Sequence, residues 1–262
     1  MRLYAEVARR SFQRHLAYRA ATVAGLFTNS VFGLLIASVY LALYRGQGEQ
    51  RVAGFSVSEA LTFVWVGQSL IMVVSMWGWW EIAASMQSGD VVADLMKPFN
   101  YYGYWFSRDL GRAACHLLTR TVPTLLIGAI LSDLALPSTA ALWAGFLTSV
   151  VLAVIVSFAW RFLLNLTAFW LLDVRGVTAM SLVVVNFFSG FLVPLAFFPP
   201  GLRHVAEALP FRAIVMVPIE VLLGQRAVGP AVALQLAWVV ALVVLGQLFL
   251  HRAVRRVVVQ GG

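Results

Sequence analysis

Apolar residues run along this chain in blocks of about twenty, the length at which a helix crosses the roughly 30 Å hydrocarbon layer of a bilayer. Six such blocks are evident, near residues 21–44, 60–80, 113–131, 140–172, 178–198 and 231–250. The pattern predicts an all-α integral membrane fold with six transmembrane helices and both termini on the same side. The block at 140–172 is too long for one perpendicular crossing, since a helix of that length reaches roughly 50 Å. It must tilt, break or extend beyond the membrane, and Arg161 and Asn165 in its second half favour extension.

Ahead of these blocks the periodicity changes. At 100° per residue, Leu3, Tyr4, Val7, Ala8, Phe12 and Leu16 fall on one side of a helix over residues 1–20, and Arg2, Glu6, Arg9, Arg10, Gln13 and Arg14 on the other. This predicts an amphipathic helix in the membrane interface, with its arginines toward anionic headgroups. The alternative is a helix packed on a cytoplasmic partner. The charged start, short apolar core and cleavage site of a signal peptide are not found here.

Two connections carry structure of their own. Within residues 81–112, the stretch at 89–98 predicts a short helix with Ser88 or Asp90 as its cap and Pro98 helping to end it. Val91, Val92, Leu95 and Met96 form its apolar face, with Asp90, Asp94 and Lys97 around it. The aromatic group Tyr101, Tyr102, Tyr104, Trp105 and Phe106 follows and suits a membrane interface. Residues 199–230 are punctuated by Pro199, Pro200, Pro210, Pro218 and Pro230. They predict a hairpin of two short helical pieces, about 202–209 and 212–223, the second kinked at Pro218. Neither piece spans alone, so the hairpin is re-entrant or interfacial.

Composition narrows the class. Hydrophobic residues make up 61% of the 262 positions and charged residues 11%, with a mean hydropathy of +0.86. That polar fraction cannot cover a water-soluble globule, and the same numbers exclude intrinsic disorder. Cys115 is the single cysteine, so there is no internal disulfide framework. The net charge of +8 reads as a record of topology, not of nucleic-acid binding. With the N-terminus inside, cytoplasmic segments hold twelve basic residues, including Arg175 and Arg252, against five outside: Arg45, Arg51, Arg203, Arg212 and Arg226. Both termini are therefore expected in the cytoplasm.

Candidate chemistry is sparse. A phosphate-binding loop needs a lysine followed by Ser or Thr, and the sole lysine, Lys97, is followed by Pro98. No zinc-protease or serine-hydrolase motif occurs. No cofactor or metal is expected in the chain. His204 lies one helical turn from Glu207, a solvated pair in preference to a metal or proton site, and Glu220 is a third titratable hairpin residue. Arg120 and Arg161 lie within apolar blocks, where an ionised side chain is expensive and either snorkels, pairs or serves function. Asn165 and Asn186 are candidates for lining a pathway or for bonding across helices. Trp77, Trp79 and Trp80 suit an interface belt. The central stretches show no carboxylate of the kind that couples proton or sodium flow, which weighs against an ion-gradient-driven carrier or channel.

Taken in order, these features resemble the permease subunit of ABC-2 type (type V) ABC transporters. The likeness covers almost the whole chain. Its most telling stretch runs from Phe188-Ser189-Gly190-Phe191-Leu192-Val193-Pro194-Leu195 through Phe197-Phe198-Pro199 and Leu209-Pro210-Phe211 to residues 218–224. The resemblance implies an N-terminal elbow helix, a cytoplasmic coupling helix about 89–98 and an extracellular hairpin about 199–230, within a membrane domain over residues 21–262. In such proteins the coupling helix sits in a cleft of a separate ATPase; the matching residues are Asp90, Val91, Val92, Asp94, Leu95, Met96 and Lys97. The implied partners are an ATPase dimer, which binds ATP and Mg, and a second ABC-2 permease, identical or paralogous. The implied function is export of a hydrophobic or amphipathic compound across the cytoplasmic membrane.

Overall fold

Inside lipid a backbone satisfies its own polar groups only as helix or closed barrel. In the computed structural model, which describes residues 2–45, 51–76, 80–171 and 173–255, the regular structure is helical apart from one isolated bridge between Val52 and Phe55. The order is α1 (Arg2–Ala17), α2 (Arg19–Tyr44), α3 (Val57–Leu70), α4 (Glu81–Gln87), α5 (Val91–Leu95) and α6 (Tyr101–His116). A π turn (Leu117–Thr121) leads directly into α7 (Val122–Leu131). Then come α8 (Ala140–Leu166), α9 (Arg175–Phe188), α10 (Pro200–Ala208), α11 (Met216–Leu222) and α12 (Val228–Val254).

Among the described residues, four helical runs are long and apolar enough to cross a bilayer: α2, the continuous rod Tyr101–Leu131, Ala140–Phe169, and α12. The chain is thus a multi-pass membrane protein. The other two expected spans are shorter helices. α3 covers about 21 Å and is buried from Ala60 to Leu70. Trp77 and Trp79 lie outside the described residues, and Trp80 directly precedes α4. α9 stops at Phe188, where Ser189 accepts a hydrogen bond from the Phe191 amide and Gly190 turns at φ 78°. The third expected span begins twelve residues early, because the aromatic group at Tyr101–Phe106 belongs to α6 and packs against Phe158 and Phe162 of α8.

Local chemistry accounts for the helix ends. Ser56 caps α3 in a capping box with Glu59, which Arg51 holds at 2.5 Å. Thr139 caps α8 and Asn100 caps α6. Pro218 is the third residue of α11, where its missing N–H would have had no partner. The kink expected there has no cause, and none is needed.

Helix α3 packs between α2 and α7. Its Trp65 fits a slot between Gly33 of α2 and Gly128 of α7 and donates through Nε1 to Ser132 Oγ (2.9 Å). Helix α1 lies along α6, where Gly111 admits the Ala8 carbonyl and Ser11 donates to Arg108 O (2.6 Å). The hairpin α10–α11 turns inward against α8. Phe211 stacks edge-on against Trp160 at 4.9 Å, and Ile214 is buried. Gln235 of α12 joins α8 to the hairpin by accepting from Ser149 and donating to Ser149 O and Ala213 O.

The α1–α6 contact is testable. A methyl group on Gly111 would lie 2.0 Å from the Ala8 carbonyl oxygen, whereas one on Gly176 meets nothing within 4 Å. Helix propensity alone favours alanine by about 0.5–1 kcal/mol, so a net loss isolates the clash. Gly111→Ala is expected to destabilise by about 1–3 kcal/mol in thermal melts of the purified protein, with Gly176→Ala neutral or better. Equal melting of the two variants would contradict the packing described.

Candidate functional site

The last four carbonyls of a helix lack partners within it, and a lipid-buried end has no water to supply them. At the end of α3 other helices supply them. Asn29 of α2 donates to Gln68 O (3.2 Å), and Thr121 of the π turn donates to Ser69 O (2.8 Å). Residues 71–76 then unwind into tight turns, with Ser75 at φ 54°. A left-handed non-glycine residue costs about 1–2 kcal/mol and persists only when its surroundings fix it. Here they do. Arg112 of α6 donates to Met72 O and, at 2.9 Å, to Val73 O, while Ser157 of α8 donates to Val74 O.

Arg112 is itself held by Asp109, one turn earlier on α6, through Nε to Oδ1 at 2.8 Å. Asp109 is fully buried and also takes a bidentate pair of bonds from Arg161 of α8, at 3.1 and 2.8 Å. One carboxylate therefore serves two buried guanidiniums. The surplus positive charge faces the carbonyls of residues 72–74, at the negative end of the α3 dipole. The arrangement ties α3, α6 and α8 together at the point where the chain leaves α3 for α4 and α5.

Past this link, Asn165 of α8 accepts from the Ala83 amide (2.8 Å), satisfying the first turn of α4, and donates to Arg161 O (2.7 Å). Glu81 of α4 accepts from Arg14 of α1 (3.0 Å) and from Arg108 of α6, whose guanidinium lies over Trp105. Helix α5 is one short turn and a half. Val91 is buried, Val92 and Leu95 are half-buried against the aromatic cluster of α6 and α8, and Met96 is 82% exposed. Met96 therefore leaves the apolar face expected of it. The cap differs too: Ser88 donates to Asp90 (2.7 Å), and neither side chain caps α5. Lys97 pairs with Asp94 (2.7 Å), whose hydrogen bond pushes the ammonium pKa up.

The remaining candidates are scattered. Arg120 does not snorkel: it is buried over Gly25 and donates to Ala21 O of α2 (2.8 Å). Asn186 donates within α9 to Leu182 O (2.7 Å), and its buried Oδ1 has no partner. In the hairpin Glu207 pairs with Arg203 (3.0 Å) and Arg212 (3.6 Å), and Glu220 with Arg212 and Arg226, while His204 is exposed. No group of three His, Cys, Asp or Glu side chains that could hold a metal occurs among the described residues. A cleft of about 650 Å³ opens between α4 and the start of α9, with Trp80, Met86, Arg175 and Thr178 on its walls. A narrower one, sharing Trp80 and Thr178, leads on to Arg161, Trp160 and Ile214.

Sequence reasoning missed Asp109 and placed Arg112 in a loop. The available signal was Asp-x-x-Arg spacing in a helix-compatible stretch, which puts both on one face. The central stretches were expected to hold no carboxylate; Asp109 lies nearer the α6 start of the rod Tyr101–Leu131, and it is buried.

Charge arithmetic sets unequal costs for breaking the cluster. Asp109→Asn leaves two buried guanidiniums uncompensated, whereas Arg161→Met leaves Asp109 and Arg112 as a neutral pair. Asp109→Asn is expected to cost about 3–5 kcal/mol and Arg161→Met distinctly less. Adding Arg161→Met to Asp109→Asn should recover part of the loss. Thermal melts of the single and double variants measure the order.

Comparison with known families matches residues 31–261, from the middle of α2 past the end of α12, to the family described as ABC-2 family transporter protein. No curated protein and no solved structure matches the chain. With that match extending over nearly all of a multi-pass helical membrane protein, the chain belongs to the ABC-2 family of transporter proteins, as an ABC-2 type permease.

Proposed function

We propose that this chain is the membrane subunit of an ATP-driven exporter that moves a hydrophobic or amphipathic compound, such as a drug-like molecule, lipid or glycoconjugate, across the cytoplasmic membrane. It works with a separate ATPase dimer, which binds ATP and Mg, and with a second permease. Both termini, α1, α4 and α5 face the cytoplasm, and the hairpin α10–α11 faces outside as a re-entrant element. Arg112, buried at the α3 terminus, drops out of the basic-residue count, but the cytoplasmic excess remains.

The observation that carries this reading is the path from α5 to α3. Met96 and Lys97 stand exposed at the end of α5, available to a partner. Behind them, α4 is fastened to α8 by Asn165 and to α1 and α6 by Glu81. The unwound stretch 71–76 leads out of the largely buried α3 toward α4, under the grip of Arg112 and Ser157. A push on α5 is thereby delivered to α3, α6 and α8 together, a bistable device of the kind that nucleotide binding biases. The cleft of about 650 Å³ between α4 and α9 gives a compound a place to enter beside this path. An ion-gradient mechanism is disfavoured because Asp109 is already neutralised by two guanidiniums.

Two experiments test the proposal. In the purified permease–ATPase complex, Met96→Arg and Lys97→Glu are expected to lower substrate-stimulated ATP hydrolysis roughly tenfold, the loss of about 1.4 kcal/mol of coupling, without altering the melting of the permease. Failure of the chain to co-purify with any ATPase would sink the reading. Orientation is separable, because native Cys115 is buried. A cysteine at Ser88 should react with an impermeant maleimide only after cells are opened, and one at Gly201 in intact cells.

A further inference from the structure

The hairpin end holds a second charged site, distinct from the Asp109 cluster. Helices α10 and α11, the turn between them and the turn after α11 place Arg203, Arg212 and Arg226 around a cavity of about 370 Å³. Two carboxylates share these three cations. Glu220 is bound by Arg212 (3.0 and 3.1 Å) and by Arg226 Nε (2.5 Å), and Glu207 by Arg203 Nε (3.0 Å). Burial pushes the Glu207 carboxyl up, but the Arg203 hydrogen bond and the charges of Arg212 and Arg203 overcome it and hold it below its ordinary value. Three guanidiniums against two carboxylates leave the site a formal surplus charge of one.

Arg212 is held by both acids, so the surplus falls on Arg203 and Arg226. Arg212 is 94% buried, at 6% exposure, and its Nε has no hydrogen-bond partner. Arg203 and Arg226 each commit only Nε to a carboxylate, leaving their terminal nitrogens for another acceptor. The opposite wall is apolar: Phe55, Leu195 and Met216 are buried there. Next to it in the chain, Leu192, Val193 and Val205 are exposed hydrophobics, continuing the apolar surface outward.

We infer that this cavity binds an oxyanion head of the phosphate class carried on an apolar body. Guanidiniums offer forked donors that match phosphate oxygens, which fits Arg212, Arg226 and Arg203 converging from three segments. The apolar wall fits the first part of a hydrocarbon chain. The same head chemistry comes from an anionic phospholipid or from free inorganic phosphate, and the site is independent of the direction of transport.

The test uses the full chain in nanodiscs, with phosphatidylglycerol carrying a photoactivatable diazirine on its acyl chain and crosslinks mapped by mass spectrometry. Crosslinks are expected within residues 192–216, stronger than those from the matching phosphatidylcholine probe by roughly tenfold, the equivalent of one charge-assisted hydrogen bond. Arg226→Gln, and separately the more exposed Arg203→Gln, should lower this labelling severalfold while crosslinks to α1 stay constant. Millimolar inorganic phosphate that abolishes the labelling identifies the head alone as sufficient; labelling that resists it identifies the lipid-borne head. Equal labelling by both lipids, or labelling unchanged in both variants, overturns the inference and leaves the arginines as braces of the hairpin.

Discussion

A carbonyl oxygen that leaves a helix inside a membrane has to find a donor, and much of this structure follows from how the carbonyls from Gln68 to Val74 find theirs. Asn29, Thr121, Arg112 and Ser157 reach them from four different segments. Using arginine as a donor imports charge, which requires Asp109; Asp109 in turn recruits Arg161. Each step repairs the cost of the previous one, and the sum is a junction in which no member can be removed singly without exposing another. Such a junction resists partial motion.

Small residues do the complementary work. Trp65 fits only because Gly33 and Gly128 leave room on both sides, and α1 meets α6 only because Gly111 does. Close approach of backbones is how helices associate where lipid is as apolar as leucine. Rigid polar contacts at the α4 end and glycine-mediated contacts along α3 therefore divide the molecule into a firmly wired end and a tightly fitted shaft.

The membrane class, the presence of a first helix and the double-helical hairpin were legible in the sequence, because apolar periodicity, apolar length and proline punctuation carry those signals locally. The full length of α3 was not. Ile71, Met72, Val73 and Val74 continue the apolar run without a break, and what stops the helix lies on α6 and α8. Asp109 and Arg112 were hidden for the converse reason. Charges next to Tyr104, Trp105 and Phe106 look like a membrane surface, and only the pairing with Arg161, fifty-two positions away, reveals them as interior. The hairpin arginines were visible individually, but their convergence required the inward turn at residues 210–213.

The π turn at Leu117–Thr121 has a consequence for the rod it interrupts. One added residue advances the helical phase by about 100°. The rod Tyr101–Leu131 thus shows one compass bearing below the turn, where Asp109 looks toward α8, and another above it, where Gly128 looks toward Trp65. Loss of a single residue there would keep an unbroken cylinder yet twist its two halves out of register, so the count of residues in this turn sets which neighbour each half faces.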